Sequence, residues 1–467
     1  MTDRALSERA VLVTAALGTM LAPLNSTMIV VALPEILDEF NRSLAWGSWI
    51  VLSYLVAMAA VQPLGGSLGD RYGRKRLFLL GLVVFAMATV VAAFAWRIEV
   101  LIVARTVQAI SGATAIPNGT ALIRSLIPPG RQGRAFGTIG SGIAVAAALG
   151  PPLGGLLTDS LGWRWIFAAN LLLITPALVL GLRLRDASLP GTGRFDLRGA
   201  TLLTLSLVTL ALALTIWRVD GVPIGAAPLL GAIALASGMA LLRQTRRVER
   251  PVLNLGLFRR RAYLPATLTV LLGNLTMYTL LLSLPIFMTG HKDWSSSQVG
   301  LLLGAMSAQM VVFSPIGGWL SDRYGRRLPA ALGLAAMAAG ALPYIAIEPS
   351  WGWPAHLVLL VVVGIGIGLS MAAVQTAAIE AASERESGQA AGLFSTMRYL
   401  GSITGSGLMA AILTGAVPSV SEFRLLYALL FVAACAGTLT AMRLPSVARP
   451  VAHQALHPAP TEDSVTT

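Results

Sequence analysis

The chain has 467 residues, of which 55% are hydrophobic and only 12% charged, against roughly 25% charged in an ordinary soluble protein. That balance excludes a soluble globular enzyme or binding domain and predicts an integral membrane protein. A net charge of +13 would suggest nucleic acid only if the basic residues gathered on one soluble face, and they do not; one cysteine, Cys435, leaves no disulfide framework, and the scattered His291, His356, His453 and His457 make no metal site.

Runs of about 20 apolar residues, the length that crosses a hydrocarbon core, predict fourteen helical spans. The first, 11–33, follows Arg4 and Arg9; it is too long for a signal-peptide core and has no convincing cleavage site, so it is read as retained. It carries Asn25, Ser26 and Thr27 side by side. Span two, 45–67, contains Tyr54 and runs into GGSLGDRYGRKRL, residues 65–77. There Gly65 and Gly69, four apart, permit a close helix approach, Asp70 caps the turn, and Arg71, Arg74, Lys75 and Arg76 anchor one membrane face. After span three, 77–95, span four, 99–123, holds Arg105, the only basic residue well inside a span, with Gln108 one turn later and Asn118 beyond. A charge there costs at least roughly 2.5 to 3.5 kcal/mol and needs partners. Span five, 134–157, contains Gly150, Pro151, Gly154 and Gly155, where glycines allow tight packing and proline bends the helix.

Span six covers 164–182, and spans at 198–217 and 223–242 precede a basic link, 246–261. In the next span, 262–288, Asn274 and Tyr278 are four apart and share a helix face. Span 298–320 carries Gln309 and leads into GGWLSDRYGRRLP, residues 317–329. Spans 329–347, 355–379 (with Gln375), 390–414 (with Arg398 at its start, placed to snorkel to the interface) and 424–442 follow. The tail, 445–467, is rich in Pro, Ser and Thr and reads as disordered.

Basic residues tend to stay in the cytoplasm. With the N-terminus inside, only Arg42, Arg97, Arg164, Arg218, Lys292 and Arg424 fall in outer loops, so both termini are predicted cytoplasmic. The GG-x-L-x-DRYGR pattern recurs 252 positions apart, pairing Gly66 with Gly318, Asp70 with Asp322, Arg71 with Arg323, Gly73 with Gly325 and Arg74 with Arg326. That offset is eight spans rather than six. A duplicated transporter with two inserted spans is therefore predicted: a six-helix bundle over 1–182, an inserted pair with linkers over 183–245, a second bundle over 246–444, and the tail.

DRYGRK after a span, its copy DRYGRR, LIVARTVQAISG and GPPLGGLL resemble the signature motifs of the major facilitator superfamily. The fourteen-span layout, ALP closing span one, and FDLRGA before the extra pair resemble its fourteen-helix drug:proton antiporters, over residues 11–443. The resemblance implies an all-α major facilitator fold and makes the paired loops, Gly66, Asp70, Arg71, Gly73, Arg74, Asp322, Arg323, Gly325 and Arg326, a latch that holds the outward-facing state. It makes Gly150, Pro151, Gly154 and Gly155 an antiporter hinge, with Ala146 where the pattern has glycine. It also places Arg105 in a motif linked to proton transfer. The alternatives for each, topology signals, ordinary tight packing and a structural arginine, stay open.

The family pattern places Asp nine residues before the Pro of ALP, and here that residue is Asn25. None of the 21 acids falls near the middle of a predicted span. An amide does not titrate, whereas a buried carboxylate can. Asn25 and Arg105 lie at similar depth, which predicts a hydrogen bond from the guanidinium to the amide if their helices are neighbours, and a pocket friendlier to neutral or anionic compounds than to cations. Coupling would then fall to an end-of-span acid such as Glu35 or Asp70, to the substrate's own proton, or to a downhill substrate gradient. Asn25, Arg105 and Gln108 are the transport candidates; Tyr54, Asn118, Asn274, Tyr278, Gln309 and Gln375 are pocket candidates.

The expected function is efflux of a small organic drug or metabolite by alternating access, with protons as a possible second substrate, in the cytoplasmic membrane, as a monomer with no cofactor, no metal and no nucleic-acid partner. Uptake or facilitated transport of a neutral or anionic solute is the alternative. A membrane-embedded sensor would need a larger soluble output domain, and an enzyme would need a nucleophile with a base, or metal ligands, at matching depth.

Overall fold

The computed structural model describes residues 2–127, 129–184, 196–215, 225–248, 251, 253–382, 386–414 and 417–446. Among them run fourteen α-helices: α1 (Thr2–Glu39), α2 (Leu44–Tyr72), α3 (Arg74–Ala93), α4 (Ile98–Leu126), α5 (Pro129–Leu161), α6 (Trp165–Arg183), α7 (Leu197–Thr215), α8 (Ala226–Thr245), α9 (Tyr263–Lys292), α10 (Ser296–Tyr324), α11 (Arg327–Ala341), α12 (Trp353–Glu380), α13 (Ser387–Ile412) and α14 (Val420–Ala441). The environment of Gly66, the side chain of Asp70 and all but the first two residues of the tail lie outside the described residues.

Helices dominate because a backbone in hydrocarbon must satisfy its own hydrogen bonds. Eleven stretches are long and apolar enough to cross a membrane, and α2 and α7 carry shorter apolar segments, Trp46–Gln62 and Leu197–Ala213. The apolar part of α2 ends at Gln62, just before the Gly65-Gly66-Ser67-Leu68-Gly69-Asp70 stretch, and α13 is diluted by Gly, Ser, Thr and Arg398. The chain is a multi-pass membrane protein.

The helices α1 to α6 pack chiefly among themselves, with α1 against α4, α5 and α6, and α3 and α2 against α4; α9 to α14 do likewise, through α10 with α12, α11 with α12 and α14, and α9 with α13 and α14. The halves meet chiefly along two seams, α5 with α10 and α2 with α13, with smaller contacts of α1 on α9 and α10. The helices α7 and α8 pair with each other, and α7 leans on α2 and α13 at the second seam.

Both copies of the repeated loop turn on a glycine in the left-handed half of φ space, Gly73 at +99° and Gly325 at +83°, a conformation other residues rarely adopt. These turns define the basic face of the molecule; the other ends of the spans form the far face. Close helix approach explains the glycines before the first turn: a Cβ on Gly65 would lie 2.6 Å from the Ala113 carbonyl, and one on Gly69 would strike the Asn118 amide.

Candidate functional site

Arg105 is fully buried, 1% exposed, on α4. Its guanidinium carbon sits 4.4 Å from the centre of the Tyr54 ring on α2, a cation–π contact worth about 2 kcal/mol when desolvated. Among the described residues its one hydrogen bond runs from Nη1 to Gln108 Oε1 at 3.4 Å, and Nε has no partner. The expected bond from Arg105 to Asn25 does not form. Instead Gln108 stands between them: its Oε1 accepts from Asn25 Nδ2 at 3.2 Å as well as from Arg105, while its Nε2 donates to Thr89 Oγ1 on α3 at 2.8 Å. The Asn25 oxygen is taken by Asn170 Nδ2 of α6 at 3.3 Å. An uncharged amide network, wholly buried, thus ties α1, α3, α4 and α6 together.

Tyr54 donates its hydroxyl to the Ala22 carbonyl of α1 at 3.4 Å, within its own half. Tyr399, on α13, packs against the apolar cluster of Tyr54, Ala57, Met58, Ala109 and Ala113. Tyr278, on α9, is half-buried, and α9 packs against α1, the helix that carries Ser26. Arg398 lies about 16 Å along α13 at 1.5 Å per residue. It is half-buried, with its guanidinium 5.3 Å from the centre of the Tyr399 ring. Tyr399, with Arg398 beside it, thus brings the second half against the cluster that contains Tyr54.

The remaining pocket candidates scatter. Asn118 is a helix tie, its Nδ2 donating to Gly65 O at 2.8 Å and Thr114 O at 2.7 Å. Asn274 donates to Val270 O at 3.1 Å and lines a cavity of about 30 Å³ among α9, α11 and α12 inside the second half. Gln309 is half-buried beside Gly364 and Gly368 of α12, and Gln375 is exposed. None of these four is placed with Arg105. Asn170, Thr89 and Tyr399 belong to the site and were not singled out from sequence; Asn170 could have been, as a lone amide in an apolar run.

At the repeated loops, Arg326 donates to Glu380 at 2.6 Å and 3.1 Å, to Asp322 at 2.8 Å and to Ser321 at 2.8 Å, all within the second half. These acceptors, Glu380 first, push its guanidinium above the usual arginine range. In the first copy Arg74 reaches the Ala121 carbonyl at 3.5 Å, while Arg71 lies against the ring of Tyr72 and Arg323 against Trp319 and Tyr324.

The glycine-proline stretch of α5 has two neighbours. Gly150 and Gly154 face α1, where a Cβ on Gly154 would fall 2.8 Å from the Met28 carbonyl; Gly155 meets the Ser296 carbonyl, and Pro151 and Pro152 receive Gly300 and Gly304 of α10. The same seam is fastened on the far face by Asp159, whose carboxylate accepts the backbone N–H groups of Ser296 at 3.0 Å and Ser297 at 2.7 Å. These are the free N–H groups of the first turn of α10, so an acid of one half caps a helix of the other.

Comparison with known proteins gives the same picture. The family model described as Major Facilitator Superfamily matches residues 15–406. The chain is 32% identical to the uncharacterized MFS-type transporter YvkA of Bacillus subtilis (strain 168), over 94% of this chain and 96% of the relative. It is 31% identical to the multidrug resistance protein Stp of Mycobacterium tuberculosis (strain CDC 1551 / Oshkosh), over 88% and 77%, and 31% identical to a probable actinorhodin transporter of Streptomyces coelicolor (strain ATCC BAA-471 / A3(2) / M145), over 87% and 73%. Among solved structures, a chain from work on proton dependent oligopeptide transporters aligns with a TM-score of 0.67 at 16% identity, over 92% of this chain and 97% of that one, a likeness of fold.

Proposed function

The chain belongs to the major facilitator superfamily, and from that premise we propose that it exports a small organic compound by alternating access, taking it from the basic face into a site between the halves at Tyr54, Arg105, Tyr278 and Tyr399. The observation that carries the proposal is a fully buried arginine against the ring of Tyr54, a member of the cluster on which Tyr399 of the other half packs. A group that costs this much to bury is functional by default in a membrane, and a site shared by two moving halves is where alternating access exposes a ligand.

The direction rests on the positive-inside rule, which makes the basic face cytoplasmic, and on relatives named for multidrug resistance and for actinorhodin transport. The far-face seam between α5 and α10 is then closed to the outside. Energy coupling is assigned to an acid at a span end or to the substrate itself, since Asn25 cannot exchange a proton. Purified protein in liposomes, offered a panel of fluorescent organic compounds with and without an imposed pH gradient, tests the proposal. Saturable transport of at least one compound is expected. No transport of any compound, under either condition, counts against a transporter of this class.

A further inference from the structure

We propose that the compound taken up at the central site is an anion, a planar aromatic carboxylate or acidic phenolate whose charge is held by Arg105 and Arg398. The proposal rests on the central site being the substrate site, and it names the substrate's class.

Arg105 is 1% exposed, its Nε has no partner, and its single hydrogen bond goes to an oxygen that also serves Asn25. Gln108 Oε1 and the Asn25 oxygen are already engaged, and Asn170 Oδ1, buried without a partner, is not bonded to Arg105. On the other side of the seam Arg398, part way along α13, forms no ion pair among the described residues, and its guanidinium lies 5.3 Å from the centre of the ring of Tyr399, which packs against the cluster that holds Tyr54. A buried charge persists when it is paired, and in the absence of a protein acid the ligand is the partner that completes the pair.

The aromatic groups support the same sign of charge. Tyrosine faces attract cations, which would favour a cationic drug, but the face of Tyr54 is covered by Arg105 at 4.4 Å and that of Tyr399 is approached by Arg398 at 5.3 Å. The protein's own arginines occupy the positions a cationic ligand would seek. What remains for a ligand is ring edge, apolar surface and unfilled N–H donors, a combination that suits a flat molecule with a negative group. Because Tyr54 is 2% exposed, entry requires its ring to swing off the guanidinium, so that the anion replaces the ring as the neighbour of Arg105.

The test uses naphthalene and anthraquinone scaffolds, each as the carboxylate, the carboxamide and the aminomethyl cation, measured for binding to the purified full-length protein and for transport in liposomes. The carboxylates are expected to bind about ten- to a hundredfold more tightly than the amides or cations, the range of a charge-assisted hydrogen bond. Arg105→Gln and Arg398→Gln are each expected to remove that preference, while Arg105→Lys, which keeps the charge, restores part of it. Cations binding as well as carboxylates, no carboxylate binding at all, or a preference that survives Arg105→Gln combined with Arg398→Gln would overturn the proposal. Transport of amides that depends on Tyr54 and Tyr278 but ignores charge would leave the central site standing and remove only its anion.

Discussion

Arg105 shows how far residue chemistry reaches and where it stops. A guanidinium in an apolar span must have partners, and that much is legible from composition; which partners depends on helix order. Asn25 and Gln108 stood out as amides in apolar runs, but Asn170, Thr89 and Tyr399 come from helices whose adjacency no local pattern encodes. The insertion of Gln108 between Asn25 and Arg105 also follows from three dimensions, because the Asn25 oxygen was already committed to Asn170. Replacing Arg105 by Ala removes a cation–π contact but also an unpaired buried donor, so the two effects on stability offset. The variant is expected to express and run as a monodisperse species yet transport nothing, and efflux at the parent rate would remove Arg105 from the mechanism. Asn25→Asp sets an oxygen against Gln108 Oε1 unless that amide turns over, and it supplies the acid that Arg105 lacks. Cation-to-anion selectivity is expected to rise by about tenfold or more, the scale of one charged contact; an unchanged ratio across the charged panel would contradict the electrostatic account of the site.

At the scale of the element, small residues determine which helices touch. Runs of about 20 apolar residues define fourteen spans, but α13 is not among the eleven stretches long and apolar enough to cross a membrane, and its start at Ser387 places Arg398 well inside the helix. A Cβ on Gly154 would meet both the carbonyl and the Cα of Met28, at 2.8 and 2.9 Å. Backbone atoms cannot rotate away, so Gly154→Ala is expected to cost about 1 to 3 kcal/mol and lower the melting temperature, while Gly231→Ala on α8, with open space at the Cβ, leaves it unchanged. Equal melting temperatures for the two variants would show that α1 and α5 can slide apart without penalty. Asp159 acts between elements. Its loss in Asp159→Ala leaves two N–H groups of α10 uncapped, a cost of about 0.5 to 2 kcal/mol borne only when the far face is closed. Spin labels on the far-face ends of α5 and α10 are expected to report a larger separated population in Asp159→Ala than in Asp159→Asn, which keeps a capping oxygen; identical distance distributions would show that the contact does not hold the seam.

For the whole molecule, two long-range signals in the sequence carried most of the architecture. The loop repeated 252 positions apart required equivalent turns, and Gly73 and Gly325 do share a left-handed backbone and a place after α2 and α10. The distribution of Lys and Arg separates a basic face from a far face. What the repeat could not convey is how the halves meet: the seams of α5 with α10 and α2 with α13, and the contact of α7 with the second seam, arise from packing between segments with no sequence likeness. Orientation in the membrane rests on the charge asymmetry, and it has a direct consequence. With Cys435 changed to Ser, a cysteine placed at exposed Ser350, in the far-face loop between α11 and α12, is expected to react in intact cells with a membrane-impermeant maleimide. A cysteine at Arg247, exposed on the basic face after α8, should react only once the membrane is opened. The reverse pattern would put the basic face outside and turn the proposed exporter into an importer through the same central site.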